Sequence, residues 1–201
     1  MVETAIFVTV STRQRILDTA LGSFGTKGVD GSSLDSIAGE LGIRKQSILY
    51  YFPTKTALFE AVLDQAADTF VKELESLDQT DDVWSQVEET VRIVFRLATR
   101  RPALLGLLRE ASRPGSNVGV RLSGRLSEHI AVAQARLERA LAEGTVRGDD
   151  ARLLLFSLYG TIIGVATEVE VLRAMGIEPS LRTLTERRAE LLRFLRAALM
   201  P

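Results

Sequence analysis

The sequence predicts an all-α protein. Three observations carry that prediction: apolar residues recur at three- and four-residue spacing through most of the chain, strand-like alternation is nearly absent, and only five of the 201 residues are proline. A hydrophobic fraction of 46% leaves enough material for a sizeable core, in one large domain or two small ones.

About nine helices follow from the pattern. The first runs from about Arg13 to Lys27, burying Ile16, Leu17, Ala20 and Phe24 on one stripe, with Gly28 as its stop. After the turn Val29-Asp30-Gly31-Ser32, Ser33 caps a short second helix carrying Leu34, Ile37, Ala38 and Leu41, and Gly42 ends it. A third short helix covers roughly Arg44 to Tyr51. Pro53 blocks its continuation, and Thr54 caps a long fourth helix from Lys55 to about Leu77. Beyond the polar break Gln79-Thr80-Asp81-Asp82, the fifth helix uses Val83, Val87, Val91, Val94 and Ala98 until Pro102, and the sixth ends near Arg113-Pro114-Gly115. The seventh spaces Val118, Leu122, Leu126, Ile130, Ala133, Leu137 and Leu141 three or four apart and stops at Gly144. The eighth, after Asp150, contains the run Leu153 to Ala166. Its fourteen residues fall short of the ~20 that a bilayer span needs, so it reads as a fully buried helix. Gly160 and Gly164 share one of its faces and would let another backbone approach, most naturally that of a second subunit. Gly176 and Pro179 precede the ninth helix, with a seam of Leu181, Leu184, Leu191, Leu195 and Leu199.

Composition excludes most catalytic equipment. There is no cysteine and one histidine, His129, so disulfide frameworks, thiolate nucleophiles, zinc fingers and multi-histidine metal sites are ruled out, and no catalytic residue, metal or cofactor is expected. A carboxylate-bridged di-metal enzyme would need two Glu-x-x-His pairs. Nor is there a cationic start or long apolar core of a secretory leader. Ala5 to Val10 is a six-residue apolar stretch behind Glu3, and a cytoplasmic location is expected. The net charge of −1, from 25 basic and 26 acidic residues, supplies no global attraction to nucleic acid, so any such binding must come from a local patch.

One such patch exists. Two short helices joined by a glycine-containing turn and packed on a preceding helix make a helix-turn-helix, over about residues 33–52. Between Ile43 and Phe59 lie Arg44, Lys45 and Lys55 and no acid. Arg44, Lys45, Gln46 and Ser47 occupy the first turn of the second helix, the part that reaches base edges, and their chemistry suits guanine, adenine and mixed acceptors. The hydroxyls of Tyr50 and Tyr51 suit phosphates, with Lys55 as an ionic contact on the same side. A helical carrier for an apolar ligand would leave this acid-free segment without purpose.

The stretch from Thr12 to Leu63 resembles the DNA-binding domain of TetR-type transcriptional regulators. The resemblance rests on Arg13, Phe24, Gly28, Ser33, Ile37-Ala38, Gly42-Ile43, Ile48, Phe52, Lys55 and Leu58. It implies a DNA-binding domain over residues 10–65, and an effector-binding and dimerisation domain over 66–201. It implies a sequence-specific repressor released from double-stranded operator DNA by a small apolar or amphipathic effector, and a homodimer formed through the last two long helices. It also implies that Ser33 touches a phosphate, that Arg44 to Ser47 read bases and that Lys55 contacts the backbone. Leu49 stands where the family has its phosphate-contacting tyrosine, which leaves that anchoring to Tyr50 and Tyr51. No effector-binding residue is identifiable. Arg92, Arg96 and Arg100 share a face of the fifth helix, but Glu88 offers Arg92 an ordinary surface ion pair. Trp84 is expected in the core or on a pocket wall.

Overall fold

The computed structural model describes residues 11–75, 82–111 and 117–201. The apolar run Ala5 to Val10, most of the polar break and the turn at Arg113-Pro114-Gly115 lie outside them. Ten α-helices and no strand occur among the described residues: α1 (Thr12–Lys27), α2 (Leu34–Leu41), α3 (Lys45–Tyr51), α4 (Lys55–Glu75), α5 (Val83–Arg100), α6 (Pro102–Ala111), α7 (Asn117–Ala142), α8 (Ala151–Thr167), α9 (Val169–Ala174) and α10 (Leu181–Leu199). The helix beyond the expected nine is α9. At six residues it is too short to show a period, and only a break at Glu168 separates it from α8.

Capping explains most of the starts. Ser11, Ser33, Asp82, Asp150 and Ser180 each accept from backbone N–H groups in the turn that follows them, satisfying donors that have no intrahelical partner. Thr54 Oγ1 likewise accepts from Ala57 N at 3.0 Å. Asp82 also accepts from the Ser85 hydroxyl. That bond, with the amide of Ser85, holds its carboxyl below the usual carboxylate range.

The core is continuous from the amino-terminal helices to α10. Helix α5 touches α6, α7, α8 and α10, and it buries Val91, Ile93, Phe95 and Leu97, each apolar side chain so buried being worth ~1.5–3 kcal/mol. Helix α4 runs unbroken through residue 65, packing on α1 near its start and on α7 further along. The most extensive helix pair is α1 with α6. These two backbones touch: a Cβ added to Gly25 would come within 2.7 Å of Ala103 Cα, and one added to Gly106 would overlap the Gly25 carbonyl.

Two expectations about the carboxy-terminal helices need correction. Helix α8 is not fully buried within the protomer: Leu158, Ile162 and Ala166 face the core, while Leu153, Phe156 and Tyr159 are exposed. Among the described residues nothing approaches Gly160 or Gly164 within 4 Å of a Cβ position, so none of their backbone uses that face. The leucine seam of α10 is internal over Leu191, Leu195 and Leu199, which pack in the chain's own core, while Leu181 and Phe194 are exposed. The apolar surface left open is therefore shared between α8 and α10 and includes aromatic residues the seam did not contain.

Candidate nucleic-acid interface

Helix α3 has seven residues, too few to stand alone in water. It is held by packing. Ile48 and Phe52 are buried, Leu49 is half-buried against the same cluster, and the Arg13 guanidinium lies 5.2 Å from the centre of the Phe52 ring. Helix α2 below it is fixed by a reciprocal cap, in which Ser33 Oγ accepts from Ser36 N at 3.0 Å and Ser36 Oγ from Ser33 N at 3.4 Å. The corner between them needs a left-handed residue. Gly42 supplies it at φ 67°, and Ile43 N then bonds to Ala38 O at 3.0 Å, turning Ile43 back inward.

This packing decides which side chains face out. Arg44 is the extended residue before α3, and its exposed guanidinium has no ion-pair or hydrogen-bond partner among the described residues. Gln46 is exposed, Ser47 half-buried, and Lys45 reaches across to Asp35 of α2 at 2.8 Å in an exposed pair. Tyr50 is 83% exposed and Tyr51 39%, their rings edge to face at 5.1 Å. An aromatic residue as bare as Tyr50 on a helix whose other apolar residues are packed has no role in this chain's own core.

Lys55 has a different setting. Its Nζ donates to Val29 O at 2.7 Å and Ser32 O at 2.9 Å, so two of its three donors close the turn between α1 and α2. That turn is also tied from within, since Ser23 Oγ donates to Ser32 Oγ at 2.9 Å and Ser32 Oγ to Gly28 O at 2.8 Å. Sequence reasoning missed Asp35, Ser23 and Ser32. Nothing in the local pattern marks a polar contact to an element that folding brings alongside.

Elsewhere the expectations divide. Arg92 pairs with Glu89 rather than Glu88, and Arg96 with Glu73 of α4 at 2.6 Å, while Arg100 has no such partner. Trp84 is buried under the Arg196 guanidinium, 5.3 Å from its ring, and forms a wall of a cleft of about 270 Å³ with Arg136 and Met200. Arg187 donates to Ala166 O at 3.1 Å over the Phe95 ring, and burial pushes its guanidinium down from its usual value. No helix among the described residues is long and apolar enough to cross a membrane, and none of their acids and His129 cluster in threes for a metal.

The sequence model of a family described as bacterial regulatory proteins, tetR family, matches residues 16–62, the span from the buried half of α1 to α4. The transcriptional regulator RutR of Escherichia coli K12 is 27% identical over 150 residues, covering 74% of this chain and 71% of RutR. Over residues 16–62 the chain carries the sequence pattern of the TetR family. The relatives matched over this span and beyond it are transcriptional regulators. Two further likenesses concern the amino-terminal span and the fold. IcaR, the negative regulator of the biofilm operon icaADBC in Staphylococcus aureus, is 40% identical over 48 residues, 24% of this chain and 26% of IcaR. The crystal structure of AibR in complex with isovaleryl coenzyme A and operator DNA superposes with a TM-score of 0.68 at 19% identity, over 78% of this chain and 86% of AibR, a likeness of fold.

Proposed function

We propose that this TetR-family chain is a homodimeric repressor that reads its operator through α3 and leaves it when a small apolar or amphipathic molecule enters the carboxy-terminal helices. In this reading residues 10–65 form the DNA-binding domain, residues 66–201 the effector and dimerisation domain, and the protein works in the cytoplasm. The observation that carries it is the outward face of α3. A helix too short to hold itself is seated on a buried core and turns Arg44, Lys45, Gln46 and a bare Tyr50 outward.

Arg44 to Ser47 read base edges and Tyr50 and Tyr51 anchor to phosphates, while Ser33 offers a phosphate contact beside its cap. Lys45 must exchange Asp35 for DNA, a cheap exchange because exposed ion pairs are worth ~0–1 kcal/mol. Lys55 adds its remaining donor to the backbone contacts while holding the turn. The exposed apolar residues of α8 and α10 support a dimer formed through those helices. Two recognition helices must then sit ~34 Å apart to enter successive major grooves. An effector that favours another separation weakens binding by its own preference between the two states, commonly ~1–3 kcal/mol. The sign and the trigger are supported by likeness to IcaR, a negative regulator, and to AibR, solved with a coenzyme A thioester and operator DNA.

A gel shift against the DNA flanking the chain's own gene, repeated at rising salt, tests this. Gln46→Ala is expected to change which base is preferred within a half-site, by ~1–3 kcal/mol of discrimination. An equal loss on specific and random DNA would remove Gln46 from the reading set, and no shift of any flanking DNA would remove the regulator mechanism stated here.

A further inference from the structure

A cleft of about 560 Å³ lies where α1, α4 and the corner between α5 and α6 meet. It is within the ~300–1,000 Å³ usual for small-molecule sites. Its position is outside the helical core assigned above to the effector, and its walls come from both halves of the chain.

The walls differ in chemistry. On the α1–α4 side the polar groups satisfy one another: Asp18 Oδ1 accepts from Gln14 Nε2 at 2.8 Å and from Gln65 Nε2 at 3.1 Å, and Gln14 also donates to Gln65 Oε1 at 3.0 Å. On the α5–α6 side stand Arg100 and Arg101, both exposed and neither with a hydrogen-bond or ion-pair partner for its guanidinium among the described residues. Arg92 and Arg96, earlier on the same helix, do have carboxylate partners. The backbone carrying the two arginines is fixed, because Arg101 N donates to Leu97 O at 2.7 Å and Arg101 O accepts from Leu104 N at 2.9 Å, closing one helix and opening the next. Between these walls the accessible apolar lining is Leu21, Pro102 and Ala103, over a floor closed by the buried Ala66 and Leu104, and a Cβ at Gly22 would meet nothing within 4 Å. Two unpaired cations face one carboxylate already engaged by amides, so the field in the cleft favours an anion.

We propose that this cleft is a binding site for a single-headed anionic amphiphile, with its acid group on Arg100 and Arg101 and its chain along Leu21, Pro102 and Ala103. Guanidinium forks suit carboxylate and phosphate heads alike. Binding here does not depend on the DNA-binding reading. Any effect on operator affinity does, because the ligand would lie beside the bare backbone crossing of Gly25 and Gly106.

The test is isothermal titration of the full chain without DNA, using sodium decanoate below its micellar concentration, with decyltrimethylammonium as the matched cation. One decanoate per chain is expected, with no heat from the cation. Arg100→Gln/Arg101→Gln is expected to weaken decanoate by about tenfold or more, the loss of at least one charge-assisted contact. Gly22→Leu, which fills the cleft without touching its charge, is expected to abolish binding. Circular dichroism confirms that each variant is folded. No decanoate heat with the natural chain, equal affinity in the folded arginine variant, or equal binding of the cation would each overturn the site. A gel shift of the same samples without decanoate reads the DNA-binding proposal separately, since neither variant alters α3.

Discussion

The helix-turn-helix and the α8–α10 face treat apolar side chains in opposite ways. Around α2 and α3 every aliphatic residue is buried or half-buried, and what remains outside is polar, charged or a tyrosine with a hydroxyl at its tip. Along α8 and α10 the chain leaves Leu153, Phe156, Leu181 and Phe194 at 59–72% exposure, beside two glycines with nothing against them. The first is a surface finished by one chain and suited to a hydrated, charged partner. The second is half of an interior, of the kind that a second copy completes.

The largest effect expected from this contrast lies on the open face. Phe156→Asp would place an unpaired charge in the interface of each copy, at a cost of at least about 3 kcal/mol per copy. Sedimentation velocity should show a folded monomer; a persisting dimer would break the comparison. Ile48→Ala, on the finished side, should cost about 2–5 kcal/mol of folding free energy and leave the association state alone. Denaturant unfolding measures the first and sedimentation the second. Next comes Lys55→Ala, expected to cost about 1.5–3 kcal/mol through its two carbonyl contacts, before any DNA is added. Unchanged stability with weakened DNA binding would return Lys55 to a purely phosphate-contacting role. The smallest is Asp82→Ala, a control in neither region, expected to cost about 1 kcal/mol at neutral pH as a lost cap. Because the folded-state pKa of Asp82 is depressed, its contribution is complete above the unfolded value of ~3.9 and disappears as pH falls through the lower folded value. The gap between Asp82→Ala and the natural chain should therefore close in acid.

Legibility followed the range of the interactions. The bounds of α2 were readable because Ser33, Gly42 and the apolar stripe are all local signals. The roles of Asp35 and Lys55 were not, since their partners come from other elements, 10 residues away for Asp35 and 23 and 26 for Lys55. Glycine spacing was legible only in part. The pair at Gly160 and Gly164 has helical spacing and meets nothing in this chain, while Gly25 and Gly106, 81 positions apart by their numbers, bring two backbones into contact.

That meeting of α1 and α6 has a mechanical outcome. Where side chains separate two helices they absorb small displacements by changing rotamer; bare main chain has no such give. From Gly25 to the far end of α1 is about 20 Å at ~1.5 Å per residue, so a swing of roughly 10° about that pivot carries the end by about 3 Å. A rigid-body swing of α1 about that crossing would therefore displace the opposite tip of the helix further than the crossing itself.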